Sequence, residues 1–289
     1  MTRWLAALVV ALALSSVPAA PPLAAEPYGG PLVDAHSHLP SLQVLDALIA
    51  AMDRQKVARV ALLGVGGVQK DDAAWIETAV RRFPDRVIPF APVPDPTAPD
   101  AAKRLDALLA TGRFKGAGEV HVHQASRKIR RAADAAPVRA LLDVCARRGV
   151  PLVVHDELTP ETTADLERAL AHNRQAVIVL AHAGGGEPRA VAALLARHPN
   201  LWVDVSGMHF LRTPALATEK GPLEPEWKAL LVEHADRILA GVDVWAPPLF
   251  KAETLDRLMR WTRRVLGELP PDVAERIAHG NAERLFRLK

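Results

Sequence analysis

Short apolar or β-branched runs alternate along this chain with longer stretches in which apolar residues return every three or four positions. That is the pattern of a parallel sheet with crossover helices. The strand readings are Leu32 to His36, Arg59 to Leu63, Val87 to Ala91, Lys115 to Val120, Leu152 to His155, Val177 to His182, Leu201 to Ser206 and Ile238 to Asp243. They number about eight, which is what closes a barrel. Between them Leu42, Leu45, Leu48, Ile49 and Met52 form one amphipathic stripe, and Leu141, Leu142 and Cys145 mark another. Helical periods also cover Trp75 to Phe83, Ala101 to Leu109, Thr163 to His172, Val191 to His198, Trp227 to His234 and Thr254 to Leu266. The expectation is a single-domain α/β fold, a (β/α)8 TIM barrel.

No linker or low-complexity tract interrupts the alternation after Tyr28. Two connections, Val122 to Ala133 and Gly207 to Pro225, exceed the few residues usual in α/β units. Both follow strands, so both belong on the face where barrels keep their active sites. Near the carboxyl end, Asn281 is placed as the N-cap of a final short helix.

The first residues change the picture of the amino-terminal end. Arg3, an apolar run from Trp4 to Leu14 and a small-residue segment ending at Ala25 have the layout of a secretory signal peptide. The reading divides the chain into a leader, residues 1–25, and a barrel domain, residues 26–289. It makes the protein exported, periplasmic or secreted, with no permanent membrane anchor, because the apolar run falls short of the roughly 20 residues a span needs. Cys145, the one cysteine, excludes an internal disulfide and falls on the apolar side of a helix. A composition of 49% hydrophobic and 24% charged residues is that of a globular chain. The net charge of +3 is mild and interspersed with acids, so no nucleic-acid partner is implied. An oligomer is compatible with all of this.

Polar residues stand where the apolar strands end. His36 and His38 lie two apart, so an extended strand turns both the same way. His155 closes the fifth strand reading, His182 the sixth and Asp243 the eighth, while Glu119 follows the glycines of Gly116-Ala-Gly-Glu119. A lone histidine closing an apolar strand is ordinarily structural. Four of them with an aspartate, at carboxyl ends of parallel strands, converge on one rim. Such donors suit a divalent metal, Zn²⁺ first, with Mn²⁺ or Fe²⁺ as alternatives.

The order of these pieces resembles the amidohydrolase superfamily, and within it the amidohydrolase-2, or aminocarboxymuconate-semialdehyde-decarboxylase-like, branch. The matching pieces are Val33-Asp-Ala-His-Ser-His38, Gly116-Ala-Gly-Glu119, Val154-His155, Ala181-His182-Ala-Gly-Gly, His198-Pro-Asn-Leu-Trp-Val-Asp-Val-Ser206, Gly241-Val-Asp243 and Gly280-Asn-Ala-Glu-Arg-Leu-Phe286. The resemblance implies that His36, His38 and His155 are metal ligands and that Asp243 binds metal and shuttles the proton. It implies that His182 is either a ligand of a second metal or a polariser of the substrate. Glu119 stands where TatD-like nucleases carry a bridging carboxylate. Its role stays open between a direct ligand, in a centre of one or two ions, and an outer hydrogen-bond partner or substrate contact.

The activity expected is hydrolysis of a C–N or C–O bond, in an amide, cyclic amide or lactone, by metal-activated water. Rival readings are a decarboxylase of the same branch, a TatD-like phosphoesterase, and an exported protein that binds metal without catalysis. His121 continues the register of Glu119 and is read as a substrate contact. His209, Arg130 and Trp245, in the loops after strands, complete the expected substrate side chains, and the basic run Arg127-Lys-Ile-Arg-Arg131 suits a small, acidic substrate. His172, His198, His234 and His279 fall at helix ends or turns.

Overall fold

The computed structural model of the chain describes residues 25–65 and 72–288. The leader reading of residues 1–25 lies outside the described residues but for Ala25. Eight parallel strands follow one another around a barrel: β1 (Leu32–Ser37), β2 (Val57–Leu62), β3 (Val87–Ala91), β4 (Gly116–Gln124), β6 (Leu152–Asp156), β7 (Ile178–Leu180), β8 (Leu201–Asp204) and β9 (Ile238–Leu239). A two-residue strand, β5 (Ile129–Arg130), folds back antiparallel on β4. The ends of the sheet meet through Ala35 N–H to the Ala240 carbonyl, Asp243 N–H to the His36 carbonyl and His38 N–H to the Val244 carbonyl, at 2.9, 2.8 and 2.8 Å. That closure brings the first and last strands together where both carry candidate ligands.

Each barrel strand but the last is followed in the chain by a helix: α1 (Leu45–Arg54), α2 (Asp72–Arg82), α3 (Ala101–Ala110), α4 (Ala136–Arg148), α5 (Pro160–His172), α6 (Pro188–Arg197) and α7 (Pro225–Glu233). The last is followed by α8 (Ala252–Gly267), α9 (Pro271–Glu275) and α10 (Asn281–Leu285). Proline in the first turn starts α4 to α7, where the missing N–H costs nothing and the fixed φ fits. Thr159 and Thr162 add a reciprocal capping box to α5. No helix among the described residues is long and apolar enough to cross a membrane.

Apolar side chains fill two layers. One large cluster lies between sheet and helices. A smaller one, with Val33, Ala61, Ile88, Val153 and Val179, fills the barrel interior, where Phe286 stands edge-on against Phe90 at 5.0 Å. The carboxyl-terminal helix therefore plugs the barrel from below. Asn281 is not its N-cap: α9, a π-turn and α10 run on as one helical path, and the buried Asn281 amide donates to the Ala235 and Ile238 carbonyls at 2.6 and 2.7 Å. The side chain secures the helix to the start of β9 instead of beginning a new element.

Candidate metal centre

At the carboxyl end of β1 the register against β2 breaks between Asp34 and Ser37, and His36 and His38 turn their Nε2 atoms to within 3.1 Å of each other. Their other ring nitrogens are committed elsewhere. His36 Nδ1 lies 2.9 Å from Asp204 Oδ2, and His38 Nδ1 lies 3.0 Å from the Leu63 carbonyl. Carboxylates and carbonyls only accept, so each Nδ1 carries a proton, and a ring that is neutral presents its Nε2 lone pair inward. Two lone pairs this close repel unless positive charge sits with them.

Glu119 reaches the same point from β4. A side chain at Gly118, whose φ is +121°, would put its Cβ 2.5 Å from the Val153 carbonyl, so only glycine lets β4 lie this close to β6. The Glu119 carboxylate is 2% exposed and its two oxygens face different partners. Oε2 lies 3.5 Å from His38 Nε2, 3.7 Å from His36 Nε2 and 3.4 Å from His121 Nε2. Oε1 lies 2.9 Å from His155 Nδ1 and 3.4 Å from His182 Nε2.

His182 and Asp243 close the ring, and both adopt left-handed backbone, φ 54° and 56°. Such a conformation is uncommon for residues other than glycine and concentrates at functional positions. It ends β7 at Leu180 and takes His182 into a turn, where Nδ1 donates to the Ser206 carbonyl at 3.0 Å and Nε2 points at the cluster. Asp243 Oδ1 is 3.6 Å from His38 Nε2 and Oδ2 is 3.8 Å from His182 Nε2. Arg212 reaches over the 207–224 loop to pair with Asp243 Oδ2.

The electrostatics favour positive charge within the cluster. Burial opposes charge on His36, yet Asp204 and Glu119 hold its pKa well above the ordinary histidine range. Burial raises the Glu119 carboxyl, and His36 with the hydrogen bonds from His155 and His182 reverses this, leaving it well below the usual range. Asp243 behaves alike: burial raises it, and His182, His36 and Arg212 bring it far below. The carboxylates stay ionised in a site nearly without solvent.

The donor separations fit a first-row divalent ion. Bonds of about 2.0–2.2 Å at angles between 90° and 120° set neighbouring ligand atoms about 2.8–3.8 Å apart. The separations here run from 2.9 to 3.8 Å. Three groups of three donors lie mutually within 4.8 Å: His36, His38 and Glu119; His36, His182 and Asp243; Glu119, His155 and His182. The six residues expected at the metal or in catalysis are thus gathered in one place.

The expected substrate residues divide. His121 and Trp245 line a cavity of about 150 Å³ that opens onto the cluster beside Arg127 and Arg212. The His121 ring stacks on His155 at 4.7 Å, burial pushes its pKa down to about 4, and its Nδ1 has no hydrogen-bond partner. Trp245 receives the Arg127 guanidinium on its face at 6.0 Å. Arg130 stands elsewhere: on β5, opposite His123, it lines an outer groove with Thr159 and Asp165. Arg127 is the basic residue of that run which reaches the cavity. His209 is buried against Phe210 and Trp261 and is not among the side chains that line this cavity.

Two residues in the neighbourhood escape a reading from sequence. Asp204 positions His36 through Oδ2 and accepts from His182 N–H, Ser206 N–H and Ser206 Oγ–H through Oδ1, at 3.0, 3.1 and 2.5 Å. Asp34 accepts from Ser37 Oγ–H and Val242 N–H and so binds the barrel seam beneath the ligands, with burial raising its pKa to about 6. The one available signal for Asp204 was an aspartate at the end of a strand.

Residues 18–288 match the family model described as amidohydrolase, the amidohydrolase-2 family. No curated protein matches the chain. Among solved structures, it is similar to an uncharacterised TIM-barrel protein from Bordetella bronchiseptica, at 17% identity over 89% of this chain and 99% of that one, with a TM-score of 0.66. It is also similar to a probable 2-pyrone-4,6-dicarboxylic acid hydrolase from Acinetobacter baumannii, at 16% identity over 89% and 99%, with a TM-score of 0.63. A manganese complex of 5-carboxyvanillate decarboxylase from Novosphingobium aromaticivorans aligns at 15% identity over 90% and 97%, with a TM-score of 0.61. At these identities the likeness to solved structures is one of fold.

Proposed function

Because the chain belongs to the amidohydrolase family, we propose that it is a metal-dependent hydrolase that cleaves a C–N or C–O bond, in an amide, cyclic amide or lactone, of a small anionic substrate. A divalent cation held by His36, His38, Asp243 and the Glu119, His155 and His182 side chains would acidify water and polarise a carbonyl oxygen.

What this chain's own residues do follows from their surroundings. Asp243 belongs both to the donor cluster and to the cavity wall. That double position is the observation that carries the reading. Held as a carboxylate, Asp243 accepts a proton from the attacking water while the water oxygen bonds to the carbonyl carbon. As the C–N or C–O bond breaks, the same carboxyl returns the proton to the departing nitrogen or oxygen. His182 has its Nδ1 proton committed to the Ser206 carbonyl, so a neutral ring offers a lone pair to the cluster rather than a proton to substrate. Arg212 and Arg127 give the cavity its positive wall, and Trp245 gives it an apolar face. A carboxylate on a planar molecule suits both. The leader at residues 1–25 supports an exported, periplasmic or secreted enzyme.

The test is turnover by protein stripped with chelator and reloaded, on a panel of carboxylate-bearing amides, cyclic amides and lactones, with released acid or amine measured. Decarboxylation is the second reading, favoured by the activities named for structural neighbours such as 2,6-dihydroxybenzoate decarboxylase. The same panel therefore includes hydroxybenzoates, with carbon dioxide as the readout. Release of carbon dioxide with no hydrolysis anywhere on the panel would move the assignment to the decarboxylases.

A further inference from the structure

We infer that the substrate is an open-chain amide or ester in two parts, with its carboxylate-bearing acyl part beside Arg127 and Trp245 and its departing amine or alcohol in a second cavity lined by Gly185 and Met208. This rests on the hydrolase reading above and deepens it, naming the form of the substrate and a subsite for the departing group.

The mouth of the barrel is divided. The cavity described above lies between the loops that follow β2, β4 and β9, with Val65, Arg127 and Trp245 on its walls. A second, of about 130 Å³, lies between the loops that follow β6, β7 and β8, with Glu157, Gly185, Met208 and Pro214 on its walls. His155, His182 and Arg212 line both. The two therefore meet at the donor cluster, and a bond broken there has room for a group on either side. A cyclic amide or a lactone keeps the acyl carbon and the departing atom in one ring and needs one cavity. An open-chain amide separates them.

Charge assigns the halves. The first cavity carries Arg127, Arg212 and the Trp245 face, the partners of a carboxylate on a planar group. The second brings two acids, Asp156 and Glu157, and its one arginine, Arg212, is already paired with Asp243. A second anion is disfavoured there, whereas a neutral or protonated amine is not. The path of the proton agrees. A Cβ at Gly207, on the wall of the second cavity, would stand 2.8 Å from Asp243 Oδ2 and 3.3 Å from His182 Nδ1. Asp243 Oδ2 thus lies on the side of the departing group. The water oxygen bonds to the carbonyl carbon, and as the C–N bond breaks Asp243 hands the water's proton to the nitrogen leaving into the second cavity. The acid stays beside Arg127.

The probes are ketones that copy two amides without a cleavable bond: para-acetylbenzoate for the primary amide and para-pentanoylbenzoate for the N-propyl amide. Metal-loaded protein is titrated with each by calorimetry. The longer chain should bind about 10-fold tighter or more, since each buried methylene adds a factor of about four. Gly185 has φ +58°, and a Cβ there meets no atom within 4 Å, so Asn, which tolerates left-handed backbone, fits and fills the space. Gly185→Asn should erase the preference for the longer ketone, with wild-type circular dichroism. Trp245→Ala, on the other cavity, should weaken both ketones and keep the preference. Equal affinities in the wild type, a comparison that needs no variant, overturn the inference. A preference that survives Gly185→Asn, or disappears with Trp245→Ala, does the same. Absence of turnover on every amide, lactone and ester offered would overturn the hydrolase reading alone, because ketone binding decides the second cavity without it.

Discussion

Asp204 Oδ2 lies 2.9 Å from His36 Nδ1 in a site that excludes solvent from both side chains. The carboxylate fixes the ring's tautomer and keeps its Nε2 lone pair on the cluster. Asp204→Asn keeps the shape and removes the charge. We expect metal affinity to fall about 10- to 100-fold, the usual cost of losing such a partner. Competition against a chelator of known affinity measures it. An unchanged dissociation constant would show that His36 is oriented by packing alone.

Gly207 is a second place where backbone serves the ligands. Its φ is +66°, and a Cβ there would stand 2.8 Å from Asp243 Oδ2 and within clash distance of the Arg212 guanidinium. Gly207→Ala should destabilise the fold by about 1 kcal/mol from backbone alone. The larger effect is local, because the methyl group occupies the path by which Arg212 meets Asp243. The expectation is a modest loss in denaturant midpoint beside a fall in kcat/KM of tenfold or more. Activity equal to wild type would place Arg212 outside the working site.

Arg212 should separate binding from chemistry. It lines the cavity while pairing with Asp243, and a guanidinium matches a carboxylate in two parallel hydrogen bonds. Arg212→Gln is expected to raise KM for a carboxylate-bearing substrate about 10-fold or more, with a smaller change for its neutral amide. Equal KM changes for the charged and neutral substrates would remove the anion-binding role.

The barrel was legible because its signal is periodic. Each of the eight strand readings falls on an observed strand, and Val87–Ala91 agrees in both bounds. Strand ends carrying ligands were not, and for a common reason. His182 and Asp243 stand beyond the ends of β7 at Leu180 and β9 at Leu239, both in left-handed backbone, and nothing in the pattern of apolar positions encodes a φ angle. The ligand residues themselves stood out as polar side chains closing apolar runs. What the linear chain hid was direction. Arg127 and Arg130 are equivalent as charges, but the β4–β5 hairpin puts Gln124 and Arg127 on the cavity and sets Arg130 against His123 outside it. His209 likewise packs its ring against Phe210 and Trp261 and does not line the cavity.

Cys145 tests the interior away from the metal. The thiol is fully buried on α4, and burial alone pushes its pKa up from 9.0 to about 12. The folded protein therefore keeps the proton through a range in which the unfolded chain releases it, so stability is unaffected below pH 9 and falls as the pH rises from there toward 12. The slope is about 1.4 kcal/mol per pH unit over that window. Between pH 8 and pH 10 wild type should lose about 1.4 kcal/mol more than Cys145→Val, whatever constant offset the substitution introduces. Urea midpoints at the two pH values measure the difference. The same burial predicts that the native thiol resists alkylation at pH 8 and reacts on unfolding. Parallel pH profiles for the two proteins, with rapid native labelling, would mean that the α4 face opens to solvent.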